Sequence, residues 1–375
     1  MFKDLKSKIL LQLHCSLNSP YTQYMTTLQQ VTTVTRKFLA ISTMLLLGFL
    51  IIYFGIRIGI AIKEKLHPTP PPPPTVSYGK LPHIPFPAIP DIPKFTFTLN
   101  TITGNLPNFG DRGKVFTINQ VTPSLLALSN AKKTVATVGF SKEPVPISDT
   151  KYAWTNDDVL PKTITMNIQT HDFTLTSSYM TDPTVLQATN VPDQTTAVQN
   201  AKNFLGGLSV LPDDVDDSKT KVTLFTISNN SLLPATSLSQ AQIVRVDFFQ
   251  HDIDGHAIYY TQPSYTSMYM LLASTDTPDP QIVEAHFVHQ EVASDNANYP
   301  IKSAQQAYKD LQDGNAYFAS FDPNTQQVII RNVSLGYFMS DTPQHYLMPI
   351  YVFQGDNNFF AYVSAVTTNW IETGM

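Results

Sequence analysis

The stretch 38–62, FLAISTMLLLGFLIIYFGIRIGIAI, carries a single charge, Arg57, and limits what this chain can become more than any other part of it. A helix rising about 1.5 Å per residue over that stretch is about 37 Å long, enough to cross a hydrocarbon core of about 30 Å with some tilt. If Arg57 marks the boundary, residues 38–56 still give about 28 Å, and the guanidinium reaches the headgroups by snorkelling. A cleaved signal peptide is the alternative. The run is too long for one, and it ends in Lys63-Glu64-Lys65 with no small-residue cleavage site. The sequence predicts an uncleaved single-span anchor preceded by a short segment, 1–37.

Charge divides the chain. Residues 1–93 hold nine Lys/Arg and three Asp/Glu, whereas 94–375 hold fifteen and twenty-six, so that +6 and −11 make the net −5. The positive residues next to the span are nearly balanced: Arg36 and Lys37 before it, Arg57, Lys63 and Lys65 at and after its end. Lys3, Lys6 and Lys8 tip the balance toward an N-terminus inside. The large part is acidic and without cysteine, and the lone Cys15 lies on the short side, so residues 63–375 are expected outside the cell membrane. Residues 1–24 show no clear pattern, Met25 is an alternative start, and no function is built on that stretch.

Eleven of the 28 prolines fall between His67 and Pro93, in PTPPPPP and LPHIPFPAIPDIP. Such a run lacks backbone donors and favours polyproline II at about 3.1 Å per residue, so 63–93 reads as a stiff stalk. A ligand for a proline-binding domain is the sharper alternative. Beyond it lie 282 residues, enough for two or three small domains, with expected modules at 94–190, 191–292 and 293–375. Three segments read as helices: 123–140, opening at Thr-Pro and closing at Gly139; 195–207, with Ala197, Ala201, Phe204 and Leu205 on one face; and 303–314, with Ala304, Ala307, Tyr308 and Leu311. Each is followed by alternating β-rich stretches. Residues 242–260 read as a hairpin around Asp254-Gly255, 282–292 as one strand, and 347–366 as a second strand–turn–strand. The pattern predicts an α+β fold: one transmembrane helix, a proline-rich stalk, then duplicated helix-plus-antiparallel-sheet modules.

The order YPIKSAQQAYKDL…VIIRNVSLGYFM…YLMPIYVFQG…FFAYVSAV, over 299–366, resembles the C-terminal region of the YycH/YycI-type regulatory proteins and, more loosely, PepSY-like modules. The shared features are the helix after Pro300-Ile301-Lys302, the Leu335-Gly336-Tyr337 strand, the Leu-x-Pro-x-Tyr-x-Phe strand from Leu347, and a last strand ending in small residues. The segment Val244 to Ile258 resembles the preceding half-module. The resemblance spans about 195–366, and the proline stalk and the 94–190 module depart from it. It implies a single-span membrane protein whose extracytoplasmic part binds a sensor histidine kinase and tunes its signalling.

Residue chemistry offers little catalysis. There is no nucleophile elbow, His-Glu-x-x-His helix, phosphate-binding glycine loop or dinucleotide fingerprint. His286 and His289 are the nearest approach to a metal pair, but on a strand residues three apart face opposite sides. His251 and His256 flank the Asp252–Gly255 turn, which lacks the ligands of a calcium loop. The four carboxylates among Asp213, Asp214, Asp216 and Asp217 read as a solvated loop. No metal or other cofactor is expected.

Aromatic residues stand out: 22 Phe, 17 Tyr and two Trp. Tyr259, Tyr260, Tyr265, Tyr269, Tyr337, Tyr346 and Tyr351 are the candidate interaction surface, since a tyrosine on a strand packs its ring and offers its hydroxyl. The −11 charge opposes nucleic acid and anionic polymers and leaves proteins, peptides or neutral glycans as partners. The reading is a non-enzymatic, membrane-anchored extracytoplasmic binding or regulatory protein acting on another envelope protein. The alternatives are a structural envelope or secretion component, and a hydrolase whose site is assembled from His251, Asp252, His256, Glu284 and His286.

Overall fold

The computed structural model describes residues 28–66, 75–188, 191–274 and 281–373, and the chain forms two units, 1–71 and 72–375. In the first, the described residues are one helix, α1 (Leu28–Leu66), about 58 Å long. Its segment Phe38–Gly59 is long and apolar enough to cross a membrane, and Phe38, Met44, Leu45, Phe49 and Ile51 are all exposed along it. Thr43, a polar interruption, returns its hydroxyl to the Leu39 carbonyl at 2.8 Å, so the helix leaves no hydroxyl unsatisfied there.

The second unit opens with β1 (Thr96–Leu99) and β2 (Arg112–Ile118). Helix α2 (Ala127–Thr137) follows, then β3 (Val145–Pro146), β4 (Lys151–Thr155), β5 (Lys162–Asn167) and β6 (Phe173–Ser177). The short α3 (Pro183–Leu186) and the longer α4 (Gln194–Gly207) lead into β7 (Lys221–Ser228), β8 (Ser231–Pro234), β9 (Ile243–Asp247), β10 (Ile258–Tyr259), β11 (Met268–Ala273), β12 (Gln281–Phe287) and β13 (Val292–Pro300). Helix α5 (Ala304–Gln312) precedes β14 (Tyr317–Ser320), β15 (Gln327–Phe338), β16 (Tyr346–Gly355) and β17 (Phe359–Ser364). The fold is α+β.

Two sheets result. A nine-stranded antiparallel sheet has the order β3-β4-β5-β6-β12-β11-β9-β7-β8. The eight-stranded sheet runs β1-β15-β16-β17-β14, with β2 joining β16 to β13, and β10 beside β15. The chain begins the eight-stranded sheet with β1 and β2, builds the nine-stranded one, and returns.

The three longer helices stop and start where their sequences require. Asp193 caps α4 by accepting the Thr196 N–H at 2.9 Å, and Ser303 caps α5 by accepting that of Gln306 at 3.2 Å. Their buried faces are Ala197, Ala201, Leu205 and Ala304, Ala307, Leu311. The expected helix over 123–140 contracts to α2, because the Ser124 N–H is taken by the Gln169 side chain at 2.9 Å instead of joining a helix. Gly139, at φ +94°, ends the turn after it.

Three expectations need correction. The turn at Asp254-Gly255 exists, with φ of +54° and +77°, but it closes only the single antiparallel bridge Ile253–His256, and the longer strands on either side do not pair with each other. β9 pairs with β7 and β11, whereas β10 runs parallel to β15 in the other sheet, so the turn is a crossover. The apolar face of β9 is claimed by α2 and α4, while Ile258 and Tyr260 bury against Phe116, Tyr337 and Leu347. The single strand expected at 282–292 is two, β12 and the start of β13.

The stalk is the third. From Thr75 to Pro93 the chain is laid on the eight-stranded sheet. Leu81 is fully buried; its N–H donates to the Trp370 carbonyl and its own carbonyl accepts from the Glu372 N–H, both at 2.8 Å. Phe86 packs on Tyr317 and Phe338, and Tyr78 stacks on Tyr346 at 5.1 Å. The prolines alternate with Leu81, Ile84, Phe86 and Ile89, and those side chains gain more from burial than from standing in water. The PTPPPPP part lies outside the described residues.

Candidate functional site

Helices α2 and α4 cover one face of the nine-stranded sheet, over Val244, Val246, Met268, Met270, Leu272 and Phe287. They meet closely: a Cβ on Gly207 would lie 2.8 Å from Val138 Cγ1, and the Thr137 hydroxyl donates to the Gly207 carbonyl at 2.6 Å. The opposite face is where function is available.

On that face the register aligns Ala153, Thr165, Thr174, His286, Tyr269, Asp247 and Lys221 as successive cross-strand neighbours. Directly paired residues point to the same side, so this is one continuous row over seven strands. Its centre is a stack. The Arg245 Cζ lies 3.7 Å from the Tyr269 ring centroid and 4.3 Å from that of Tyr265, within cation–π range of both. The guanidinium also holds Asp247 bidentately, Nε to Oδ2 at 2.8 Å and Nη2 to Oδ1 at 2.7 Å. Asp247 is wholly buried and takes the Thr266 N–H at 3.2 Å as well. Lys221 Nζ stands 5.2 Å from the outer ring, that of Tyr265.

Below the stack two phenols share one carboxylate: Tyr269 donates to Glu284 Oε1 at 3.1 Å and Tyr179 to Oε2 at 3.0 Å. Burial, then the Glu284 charge, pushes the Tyr269 hydroxyl up to about 12 and raises that of Tyr179 too, so both remain neutral donors at any physiological pH. The His286 ring lies 5.8 Å from that of Tyr269. A cavity of about 290 Å³ opens here, between Arg245, Tyr265, Tyr269, His286 and Asp341. Chemically this is a rigid, charge-compensated aromatic platform. Its carboxylates are already engaged by Arg245 and the phenols, so its groups suit contact better than proton transfer.

The seven expected tyrosines separate. Tyr265 and Tyr269 form the stack. Tyr346 meets Tyr78, and the Tyr259 ring lies over Gly336, where a Cβ would come within 2.6 Å of Tyr259 Cε2. Tyr260, Tyr337 and Tyr351 are buried and cannot line a surface. Their rings fill the core beside and within the eight-stranded sheet, and internal partners take two of the hydroxyls: Tyr260 meets Gln250, and Tyr351 donates to the Lys302 carbonyl at 2.5 Å. Arg245, Asp247 and Tyr179 were not singled out from sequence, and Glu284 was named only in the dispersed hydrolase set. Arg245 and Asp247 did leave a signal, two opposite charges at i and i+2 within the apolar run IVRVD, which a strand places on one face.

The dispersed hydrolase set does not converge. His251 approaches Asp216 at 3.5 Å, Asp252 takes Lys219 Nζ at 2.5 Å, and His256 packs on the Tyr337 ring, while Glu284 and His286 sit on the platform. His286 and His289 diverge as expected: His289 Nε2 pairs with Asp214 Oδ1 at 2.8 Å. Burial alone would raise the Asp214 carboxyl, but hydrogen bonds from His289 and Gln250 hold it below its usual value. The acidic loop is thus neutralised rather than merely solvated, with Asp216 serving Ser218 and Lys219, and Asp217 paired to Lys202. Among the described residues no group of three His, Cys, Asp or Glu is placed to hold a metal ion.

No protein-family model matches the chain, and no curated protein matches it in sequence. The solved structures that are distantly similar include the following two. An uncharacterised protein from Eubacterium rectale aligns at 12% identity over 69% of this chain and 84% of its own, with a TM-score of 0.31. The C-terminal domain of Bacillus megaterium YpeB aligns at 11% identity over 68% of this chain and 97% of its own, also at 0.31.

Proposed function

We propose that this chain is a membrane-anchored extracytoplasmic protein that binds, and regulates by contact, another protein of the envelope, without chemistry of its own. The observation that carries the reading is the Tyr265–Arg245–Tyr269 stack on the sheet face opposite α2 and α4, beside a cavity of about 290 Å³. Tyr and Arg dominate the binding energy of protein interfaces because large flat groups lose little conformational entropy on contact. Here the arginine is already fixed by Asp247, so docking a partner costs little further ordering. The apolar span of α1 and the acidic, cysteine-free folded part support placement outside the membrane. A sensor histidine kinase is the partner that the YycH/YycI resemblance implies. The test is a photo-crosslinking amino acid at Gln262, exposed at the rim of the same cavity, in native membranes, with one at Ser231 as control. One dominant membrane protein captured at Gln262 alone supports the reading. Equal capture at both positions, or none at either, overturns it.

A further inference from the structure

The proline strap lies over the eight-stranded sheet. Phe86 is seated between the rings of Tyr317 and Phe338, at 5.2 and 4.8 Å, and Ile84 and Ile89 pack on the same cluster. Aromatic rings receiving a proline-spaced hydrophobe are the general chemistry of polyproline recognition. Leu81 is pinned by its backbone bonds to Trp370 and Glu372, but what holds the strap beyond it is apolar: from Pro82 to Lys94, among the described residues, its one backbone hydrogen bond is internal, Phe86 N–H to the Ile84 carbonyl at 2.8 Å, a γ-turn about Pro85.

Beneath, the fit is incomplete. Ser334 Oγ, Tyr362 Oη and Ser364 Oγ are buried without a hydrogen-bond partner among the described residues. The register places all three on one face, Ser334 opposite Val352 opposite Tyr362, and Ser364 opposite Ile350. A buried hydroxyl left unpaired costs about 1–3 kcal/mol. Beside them a cavity of about 630 Å³ runs between the strap residues His83, Ile84 and Phe86 and the walls at Lys302, Ser364 and Ile371.

We infer that this aromatic face is a docking groove for an extended proline-rich segment of another protein, and that residues 82–89 occupy it in cis until such a segment displaces them. An incoming segment with polar side chains satisfies hydroxyls that the strap cannot reach, which is what makes exchange favourable. The groove lies on the sheet that the Arg245 platform does not use, so the inference stands whether or not that reading holds.

The test uses the full chain in detergent micelles and a fluorescent synthetic peptide of residues 80–94, read by anisotropy. Phe86→Ala weakens the cis strap, and Phe86→Leu is the milder variant if the first loses its fold. Either variant, with unchanged circular dichroism, is expected to bind the peptide at least tenfold tighter than the unsubstituted chain, and a peptide with alanine at the Phe86 position is expected not to bind. A folded variant that takes up no peptide, or takes up both peptides equally, overturns the inference. Concentration-dependent dimers of the unsubstituted chain without peptide uptake assign the groove to the strap of a second copy and also overturn it.

Discussion

Phe86 lies flat against Tyr317, ring centroids 5.2 Å apart and planes within 2° of parallel. One residue of a segment rich in proline is thereby made part of a folded core. Phe86→Ala removes that stacking and uncovers Phe338, at an expected cost of roughly 2–4 kcal/mol, at or below the usual range for a buried phenylalanine because Phe86 is only partly buried. Chemical denaturation measures the cost, and limited proteolysis is expected to show new cleavage within residues 75–93 while the sheets persist.

Arg245→Ala and Tyr265→Ala are expected to behave in opposite ways. The first strands the wholly buried Asp247 carboxylate without its counter-ion and is expected to cost about 3–5 kcal/mol. The second removes a half-exposed ring and is expected to change stability by less than about 1 kcal/mol while abolishing partner capture. Thermal melts of both variants, alongside crosslinking, separate the structural arginine from the tyrosine that faces outward.

The glycine pair at the end of α4 gives a matched comparison. A Cβ at Gly206 meets nothing within 4 Å, so Gly206→Ala is expected to stabilise by a few tenths to about 1 kcal/mol through helix propensity. Gly207→Ala drives a Cβ into Val138 and is expected to destabilise by about 1–3 kcal/mol. Paired denaturant titrations decide the sign of each.

Much of this was legible in the chain. The span, the faces of α4 and α5 and the strands β16 and β17 follow from periodicity, because local pattern and burial agree there. Strand partnership was not legible. IVRVD and the following Ile258-Tyr259 look like two arms of one hairpin, and nothing local says that the second arm pairs with Tyr337 and Phe338 instead. The strap misled for a related reason: proline content advertises an extended backbone but is silent on whether the residues between the prolines find a surface. The seven tyrosines stood out by their crowding in the sequence, and only the three-dimensional neighbours showed Tyr260, Tyr337 and Tyr351 to be interior.

Alkaline pH is expected to loosen the molecule within a definite window. Burial raises Tyr269, Tyr317 and Tyr351 to about 12, above the ordinary value of 10. A group whose folded value is raised contributes stability that is complete below its unfolded value and is lost as the pH climbs through the folded one. Stability should therefore fall between about pH 10 and 12, with phenolate absorbance rising together with the loss of sheet signal. Tyr351→Phe, which cannot ionise, is expected to move the transition upward even though it gives up the bond to the Lys302 carbonyl.

Asp172 adds a milder effect of the same sign. Burial raises its carboxyl above the usual carboxylate range despite the Thr170 hydroxyl at 2.6 Å, so ionisation at neutral pH works against the fold. Asp172→Asn is expected to raise the melting temperature at pH 7 and to lose that advantage as the pH is lowered past the carboxyl's titration. Melting curves at several pH values check it.

Val292 pairs with Ile118 across 174 positions of sequence, and the whole nine-stranded sheet is made from the chain in between. The inner sheet can thus be assembled while the outer one still lacks half its strands, and the outer one cannot close until the C-terminal third has been synthesised. Bringing together partners so far apart is entropically slow. During that wait β1 and β2 are orphan edges, which makes the interval after the inner sheet forms the time when a newly made molecule is most exposed to aggregation and most in need of a chaperone.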